Sequence, residues 1–405
     1  MIVKIEKGIA RGTVNAPPSK SMAHRLLISA AMSNGESTIR GISDCEDVRA
    51  TLKCLSALGV SVVKEGQDLK VTGVDMTKRA PEGVLDAGES GSTLRFLIPV
   101  AMLSGKTAMF KGKEGLMRRP MDVYSNLAKE HGLLFIQDGE SITVRGALKG
   151  GEFTVVGNVS SQFISGLLFA LPTLKSSSRI KIIPPIESRS YIEMTIAAIG
   201  LFGIKAIWEN EHTIFIPGGQ TYTPGNVDVE GDFSGAAFTD AFNILEGDVE
   251  VKGLNPSSIQ GDRVYKKYYE MLDYGIPTLH IGDCPDLGPI LFAIAAAKRG
   301  GVFTGTRRLK IKESDRASVM AEELKKFGVS VTVYEDKTVV YPVRFEAPKE
   351  RLSGHNDHRI VMALSVLLTL VGGEIEGAEA VSKSYPEFFS DLRRIGIGVS
   401  EYDAR

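Results

Sequence analysis

Six strongly apolar helical segments, each opened by a short polar stub, recur along the chain and constrain its fold more than any other feature. They are SKSMAHRLLISAAM, ESGSTLRFLIPVAM, VSSQFISGLLFAL, GDFSGAAFTDAF, CPDLGPILFAIAAA and NDHRIVMALSVLL. Anchored on Lys20, Ser90, Ser160, Asp232, Asp286 and Asp357, they follow at steps of 70, 70, 72, 54 and 71 residues. A helix apolar on nearly every face has to be buried, so its polar start is the part left to meet solvent or a ligand. A repeat of this length means supersecondary units stacked into a common architecture.

A second pattern is interleaved with the first. Val48, Leu52, Leu55 and Leu58 follow helical spacing, Gly59 stops the helix, and VSVV–KEGQD–LKVTG reads as a hairpin. Similar amphipathic blocks end at Gly132, Gly203, Gly275, Gly328 and Gly396. The chain therefore reads as an α/β protein of six β-α-β-α-β-β-like units, whose buried helices aim their N-termini at a common surface. At 405 residues it is too long for one ordinary core, so two domains of three units are expected. The Gly- and Pro-rich stretch 217–227 marks one crossing between them, and NAPPS at 15–19 marks the other. The expected domains are 15–224 and 1–14 plus 225–405.

Composition narrows the class. Apolar residues make up 43% and charged residues 24%, a globular profile, and the net charge of −1 argues against a generally basic nucleic-acid binder. MIVKIEKG lacks the apolar stretch of a signal peptide, and no apolar run is long enough to span a bilayer. A cytoplasmic protein with no membrane or nucleic-acid partner is expected. Cys45, Cys54 and Cys284 are odd in number, lack metal-like spacing and read as reduced thiols.

The helix starts carry the chemistry. Helix N-termini present unsatisfied N–H groups and a partial positive charge, which attract anions. Here they also supply Lys20, Ser21 and Arg25; Ser90, Gly91 and Ser92; Ser160, Ser161 and Gln162; and His358 and Arg359. Hydroxyls, an amide and guanidinium groups suit phosphate and carboxylate oxygens. Capping explains any single stub; repetition with cations at several of them points to anionic ligands. IKESDRA at 311–317 adds Lys312, Glu313, Asp315 and Arg316 before an amphipathic helix. It reads either as a solvated helix start capped by Asp315 or Ser314, or as a lysine and a carboxylate set for proton transfer beside an anion-binding arginine. SGKT at 104–107 is not a phosphate loop, because Val100 stands where that loop needs Gly. His355 and His358 have no third ligand motif, so zinc is not expected.

PSKSMAHR, GESGSTLR, RRP at 118–120, SSQF, KESDR, NDHR and KSYPEFF together resemble the 5-enolpyruvylshikimate-3-phosphate synthase family, in order and spacing, from about residue 15 to 390. The resemblance implies the enolpyruvyl transferase fold, an inside-out α/β barrel arrangement of two similar domains, each of three β-α-β-α-β-β units with buried parallel helices. It implies transfer of the enolpyruvyl group of phosphoenolpyruvate to the 5-hydroxyl of shikimate 3-phosphate with release of phosphate, without cofactor or metal. Small-molecule substrates and a monomer are expected. Ser21 and Arg25 would hold the shikimate carboxylate, Ser160, Ser161 and Ser188 its 3-phosphate, and Gln162 and Tyr191 the ring region. Lys20, Gly91, Arg119 and Lys383 would line the phosphate end of phosphoenolpyruvate, with Gln162 shared, while Arg316 and Arg359 would clamp its carboxylate. Asp286 and Lys312 would contact the attacking hydroxyl, Asp286 as its base, and Glu313 would handle the proton at the methylene carbon. Glu89 and Arg308 depart from the family, where Asn is common, and leave affinity and glyphosate sensitivity open.

Three rival classes remain in view. The UDP-N-acetylglucosamine enolpyruvyl transferases share the fold and the donor but carry a catalytic cysteine on the loop before the arginine equivalent to Arg119, and KGKEGLMRRP has none. An RNA-end-binding protein of related architecture would show a basic surface. A non-catalytic binder would have no need of Asp286, Lys312 and Glu313 together.

Overall fold

The computed structural model describes residues 1–66, 68–342 and 345–403. The chain divides into two compact α/β units, Pro18–Glu230 and Met1–Pro17 with Gly231–Arg405. Each has its own apolar core built on three of the expected helices. In the first unit these are Lys20–Ala31, Gly91–Ala101 and Ser161–Ala170; in the second, Phe233–Ile244, Gly288–Ala297 and His358–Val371. The last is buried at every position from His358 to Thr369. Each wholly buried Leu, Ile or Val along it contributes about 1.5–3 kcal/mol.

Among the described residues the strands form five four-stranded sheets and one two-stranded sheet. A typical one runs Leu85–Asp86, Ala108–Lys111, Ser141–Arg145, Leu134–Gln137, parallel in its first pair and antiparallel in the next two. The hairpin expected after Gly59 is present as Ser61–Glu65 against Asp68–Thr72; Gln67 lies outside the described residues. The N-terminal strand Ile2–Ile5 completes the equivalent sheet of the sixth unit, between Gly373–Glu376 and Val399–Tyr402.

The strands that lead into the first and fourth core helices are exchanged. Arg11–Asn15 precedes the first helix yet pairs in parallel with Asp248–Lys252 in the second unit. Asn226–Asp228 precedes the fourth helix yet pairs in parallel with Glu36–Arg40, and so stays with the first unit. The two chain crossings follow from this exchange.

The short 54-residue step also has a structural cause. Five of the six helix-ending glycines have positive φ, for example 87° at Gly59 and 82° at Gly328, a conformation that only glycine adopts without cost. Gly275 is extended instead, at φ −167°. From there the chain runs straight into Thr278–His280, with no hairpin between the amphipathic helix and the next core helix. The fourth unit is thus a shortened one.

The polar stubs act as caps with one exception. Ser19, Ser90, Ser160, Asp232 and Asp357 each accept a backbone N–H of their helix. The fifth helix begins at Gly288 after a 3-10 turn at Pro285–Leu287, so Asp286 lies ahead of the helix and its side chain does not cap it.

Candidate active site

In the first unit the second and third core helices approach closely because residue 166 is glycine. A Cβ there would overlap the Tyr124 hydroxyl and the Arg95 carbonyl oxygen. The approach brings Arg95, buried within an otherwise apolar helix, onto Gln162 at the start of the next. Arg95 Nη1 donates to Gln162 Oε1 at 2.7 Å, and Gln162 Nε2 donates to Ser92 Oγ at 3.0 Å. The glutamine amide is therefore held in one orientation. Gly91 completes this corner, since a Cβ on it would lie 3.0 Å from Arg119 Nη1 and 3.6 Å from Gln162 Oε1. A glycine here keeps the helix start open beside a guanidinium.

The first core helix adds two cations, Lys20 and Arg25. Lys20 pairs with Asp47 at 2.8 Å, both largely buried. Arg25 donates to the Ser21 carbonyl at 2.6 Å, Thr195 Oγ1 at 2.8 Å and the Tyr191 carbonyl at 2.9 Å, and its guanidinium lies over the rings of Phe96 and Tyr191. Burial lowers its pKa to about 10, which still leaves it a cation at neutral pH. His24 between them is pushed well below its usual pKa, first by burial and then by Lys20 and Arg25, and stays neutral. Ser160, Ser161 and Ser188 are all buried. Ser188 holds left-handed backbone, φ 57°, at the start of the helix that carries Tyr191. A non-glycine residue there costs of order 1 kcal/mol, a strain found at ligand clamps.

In the second unit a single network joins five of the expected residues. Asp286 Oδ1 accepts from Lys312 Nζ at 3.0 Å and Arg316 Nη1 at 2.8 Å, and its Oδ2 accepts from Arg359 Nη2 at 3.0 Å. Arg316 Nη2 also donates to Glu313 Oε2 at 2.7 Å. Burial alone would raise the Asp286 pKa, but Arg359, Lys312 and Arg316 outweigh it and hold the carboxyl well below the usual range. Burial lowers Lys312, with Arg308 and Arg316 adding to the effect and Asp286 offsetting part of it. Lys383 donates to the backbone carbonyl and Oδ1 of Asn356, at 2.6 and 2.8 Å, on the turn that leads to Arg359.

The residues of IKESDRA divide between capping and pairing. Asp315 caps its helix by accepting from Ser318 N, Ser314 donates to Asp357, and Lys312, Glu313 and Arg316 belong to the buried network. Sequence reasoning missed three partners: Asp47 on Lys20, Arg95 on Gln162 and Asp357 on Arg316. The signal for Arg95 was a charge inside an apolar helix, which has to find a buried acceptor. Asp47 and Asp357 left no such mark.

The rival with a catalytic cysteine finds no support here. Cys45, Cys54 and Cys284 are all buried. Burial pushes Cys45 up to about 11 and Cys54 up to about 12, and raises Cys284 well above its usual value, the reverse of an activated thiol. Glu322, Glu323 and His355 could together surround an ion, but the Lys326 ammonium already lies 3.0 Å from both Glu323 oxygens.

The profile described as EPSP synthase (3-phosphoshikimate 1-carboxyvinyltransferase) matches residues 6–278 and 274–392. The chain belongs to the EPSP synthase family. It is 39% identical to the 3-phosphoshikimate 1-carboxyvinyltransferase of Clostridium acetobutylicum, over 99% of this chain and 98% of that one. It is 36% identical to the protein of the same name from Clostridium botulinum, with the same coverage. A solved EPSP synthase from Acinetobacter baumannii shares the fold, with a TM-score of 0.78 at 24% identity over 99% of this chain and 100% of that one. This EPSP synthase family member is accordingly an enzyme, and enolpyruvyl transfer in the shikimate pathway is the chemistry of its family.

Proposed function

We propose that the two clusters divide the work of one transfer, from phosphoenolpyruvate to the 5-hydroxyl of shikimate 3-phosphate. Ser21 and Arg25 take the shikimate carboxylate, Ser160, Ser161 and Ser188 its phosphate, and Gln162 and Tyr191 its ring. Lys20, Gly91, Arg119, Gln162 and Lys383 take the phosphate of phosphoenolpyruvate, and Arg316 and Arg359 its carboxylate. Two phosphates and two carboxylates repel one another at short range, and this number of cations offsets that repulsion while orienting the reacting atoms.

The observation that carries the reading is Asp286 beside Lys312 and Glu313, two carboxylates and a lysine in one cationic network. Asp286 accepts the proton of the 5-hydroxyl as its oxygen bonds to C2 of phosphoenolpyruvate, and Glu313 gives a proton to C3. In the second half the C2–O bond to phosphate breaks, Glu313 takes a proton back from C3, and phosphate leaves with the proton held by Asp286. The sum balances with no further co-reactant.

Asp286→Asn tests the assignment. Turnover should fall by about 10²–10⁴-fold, the usual loss with a general acid–base group. Shikimate 3-phosphate affinity should stay close to that of the parent. Turnover within a few-fold of normal in a folded variant would remove Asp286 from the chemistry. Among the described residues no helix is long and apolar enough to cross a membrane, and a cytoplasmic monomer with no nucleic-acid partner is part of the same reading.

A further inference from the structure

The Arg316 guanidinium has two edges, and both are occupied. Its inner edge, Nε and Nη2, holds Asp357 at 2.8 and 3.2 Å. Its outer edge holds Asp286 on Nη1 at 2.8 Å and Glu313 on Nη2 at 2.7 Å. Arg359 gives Nη2 to the other oxygen of Asp286 at 3.0 Å. The two arginine side chains are 1% and 6% exposed, whereas Asp286 and Glu313 are 17% and 19% exposed. The arginines are thus fixed in the interior, and the two carboxylates cover them on the solvent side.

A carboxylate gripped by both arginines needs the outer edge of Arg316 and the Nη2 of Arg359, the positions now taken by Asp286 and Glu313. We infer that Asp286 and Glu313 hold the place of the substrate carboxylate on Arg316 and Arg359, and that phosphoenolpyruvate displaces them and so frees them for proton transfer. The inference rests on the assignment of those arginines to the phosphoenolpyruvate carboxylate.

Charge balance favours such an exchange. Asp357 offsets only one of the two buried guanidinium charges; leaving the other without a counter-charge is expensive, and the carboxylates of the chain remove that cost. One substrate carboxylate spread over Arg316 Nη1, Arg316 Nη2 and Arg359 Nη2 replaces the three charge-assisted hydrogen bonds that the two side-chain carboxylates give up. The exchange also alters what the two groups can do. A carboxylate held by Arg359, Lys312 and Arg316 is a poor proton acceptor. Released from two of those cations and set beside a new anion, Asp286 becomes a better base. Glu313, released from Arg316 in the same step, becomes easier to protonate. Both proton-transfer groups are therefore idle until the enolpyruvyl donor has arrived.

The test is the affinity of Asp286→Asn for phosphoenolpyruvate alone, by titration calorimetry, beside its turnover. Loss of the competing anion should tighten phosphoenolpyruvate binding by about tenfold, equivalent to about 1.4 kcal/mol, and Glu313→Gln should tighten it in the same direction. A merely structural role would weaken binding. Unchanged or weaker phosphoenolpyruvate binding in variants that still bind shikimate 3-phosphate would overturn the displacement. If turnover is lost in those variants, the base assignment outlives that failure; if turnover is normal, the assignment fails with it. Should Asp286→Asn not fold, Glu313→Gln decides the point by the same titration.

Discussion

Asp357 is wholly buried and holds Arg316 from behind, taking its Nε at 2.8 Å and its Nη2 at 3.2 Å. The same carboxylate accepts the Arg359 backbone N–H at 3.0 Å and the Ser314 hydroxyl at 3.0 Å. One side chain thus caps the sixth core helix and fixes the direction of a guanidinium 41 residues away. Asp357→Asn keeps the cap, because Asn caps about as well as Asp, but removes the charge behind Arg316. The expected loss of stability lies near the lower end of about 3–5 kcal/mol, the cost of breaking a buried pair from one side. Urea denaturation measures it, and a shift below about 0.5 kcal/mol, the scatter of a neutral surface change, would contradict the role.

Arg316→Lys and Arg359→Lys should each weaken phosphoenolpyruvate more than shikimate 3-phosphate. An ammonium is a point charge and cannot replace a fork that serves two oxygens. The loss should be roughly 1.5–3 kcal/mol, the worth of a hydrogen bond to a charged group. Equal weakening of both substrates in steady-state kinetics would show that the arginines serve another ligand.

The turn before Asp357 carries a pH dependence of its own. His355 and Asn356 both hold left-handed backbone, at φ 47° and 54°. Glu323 steadies the turn by accepting from His355 Nε2 at 2.9 Å and Ser353 N at 3.0 Å. The bond to Glu323 raises the His355 pKa, against a smaller opposing effect of burial. Burial pushes Glu323 up, but His355, Ser353 N and Lys326 outweigh it and lower its pKa. The histidine's contribution is complete below its unfolded pKa of about 6.5 and is lost as pH rises through its higher folded value. The glutamate's contribution is present above about 4.3 and is lost as pH falls through its lower folded value. The parent should therefore exceed His355→Gln in melting temperature most between about pH 5 and 6.5, with the gap closing at alkaline pH. A gap independent of pH would contradict the ionic pair.

The three thiols should be inert in the folded protein. With Cys45 and Cys54 pushed up to about 11 and 12 and all three buried, a thiol-specific reagent should label none natively and three in denaturant. Rapid native labelling coupled to lost activity would revive a cysteine-based reading.

The six core helices and their polar starts are legible in the sequence, because burial and helix capping are local and leave periodic marks, whereas Arg119, Ser188, Tyr191 and Lys383 entered as candidates through the family resemblance alone. What joins them is not local. Asp286 shares its opening position with true N-caps, and only the helix start at Gly288 and the convergence of Lys312, Arg316 and Arg359 separate it from them. Arg95 and Gln162 are 67 residues apart and meet because Gly166 lets two helices close up. The exchanged strands Arg11–Asn15 and Asn226–Asp228 each pair far along the chain, beyond the reach of any local pattern. The shortened fourth unit was visible as a 54-residue step, but its meaning emerged only with the extended backbone of Gly275.

Phosphate release from phosphoenolpyruvate, measured with and without shikimate 3-phosphate, decides whether the protein carries out the transfer. Release should occur only when shikimate 3-phosphate is present, at one phosphate per acceptor consumed, and UDP-N-acetylglucosamine should not replace it. No release with shikimate 3-phosphate, or equal release with the nucleotide sugar, would contradict the account.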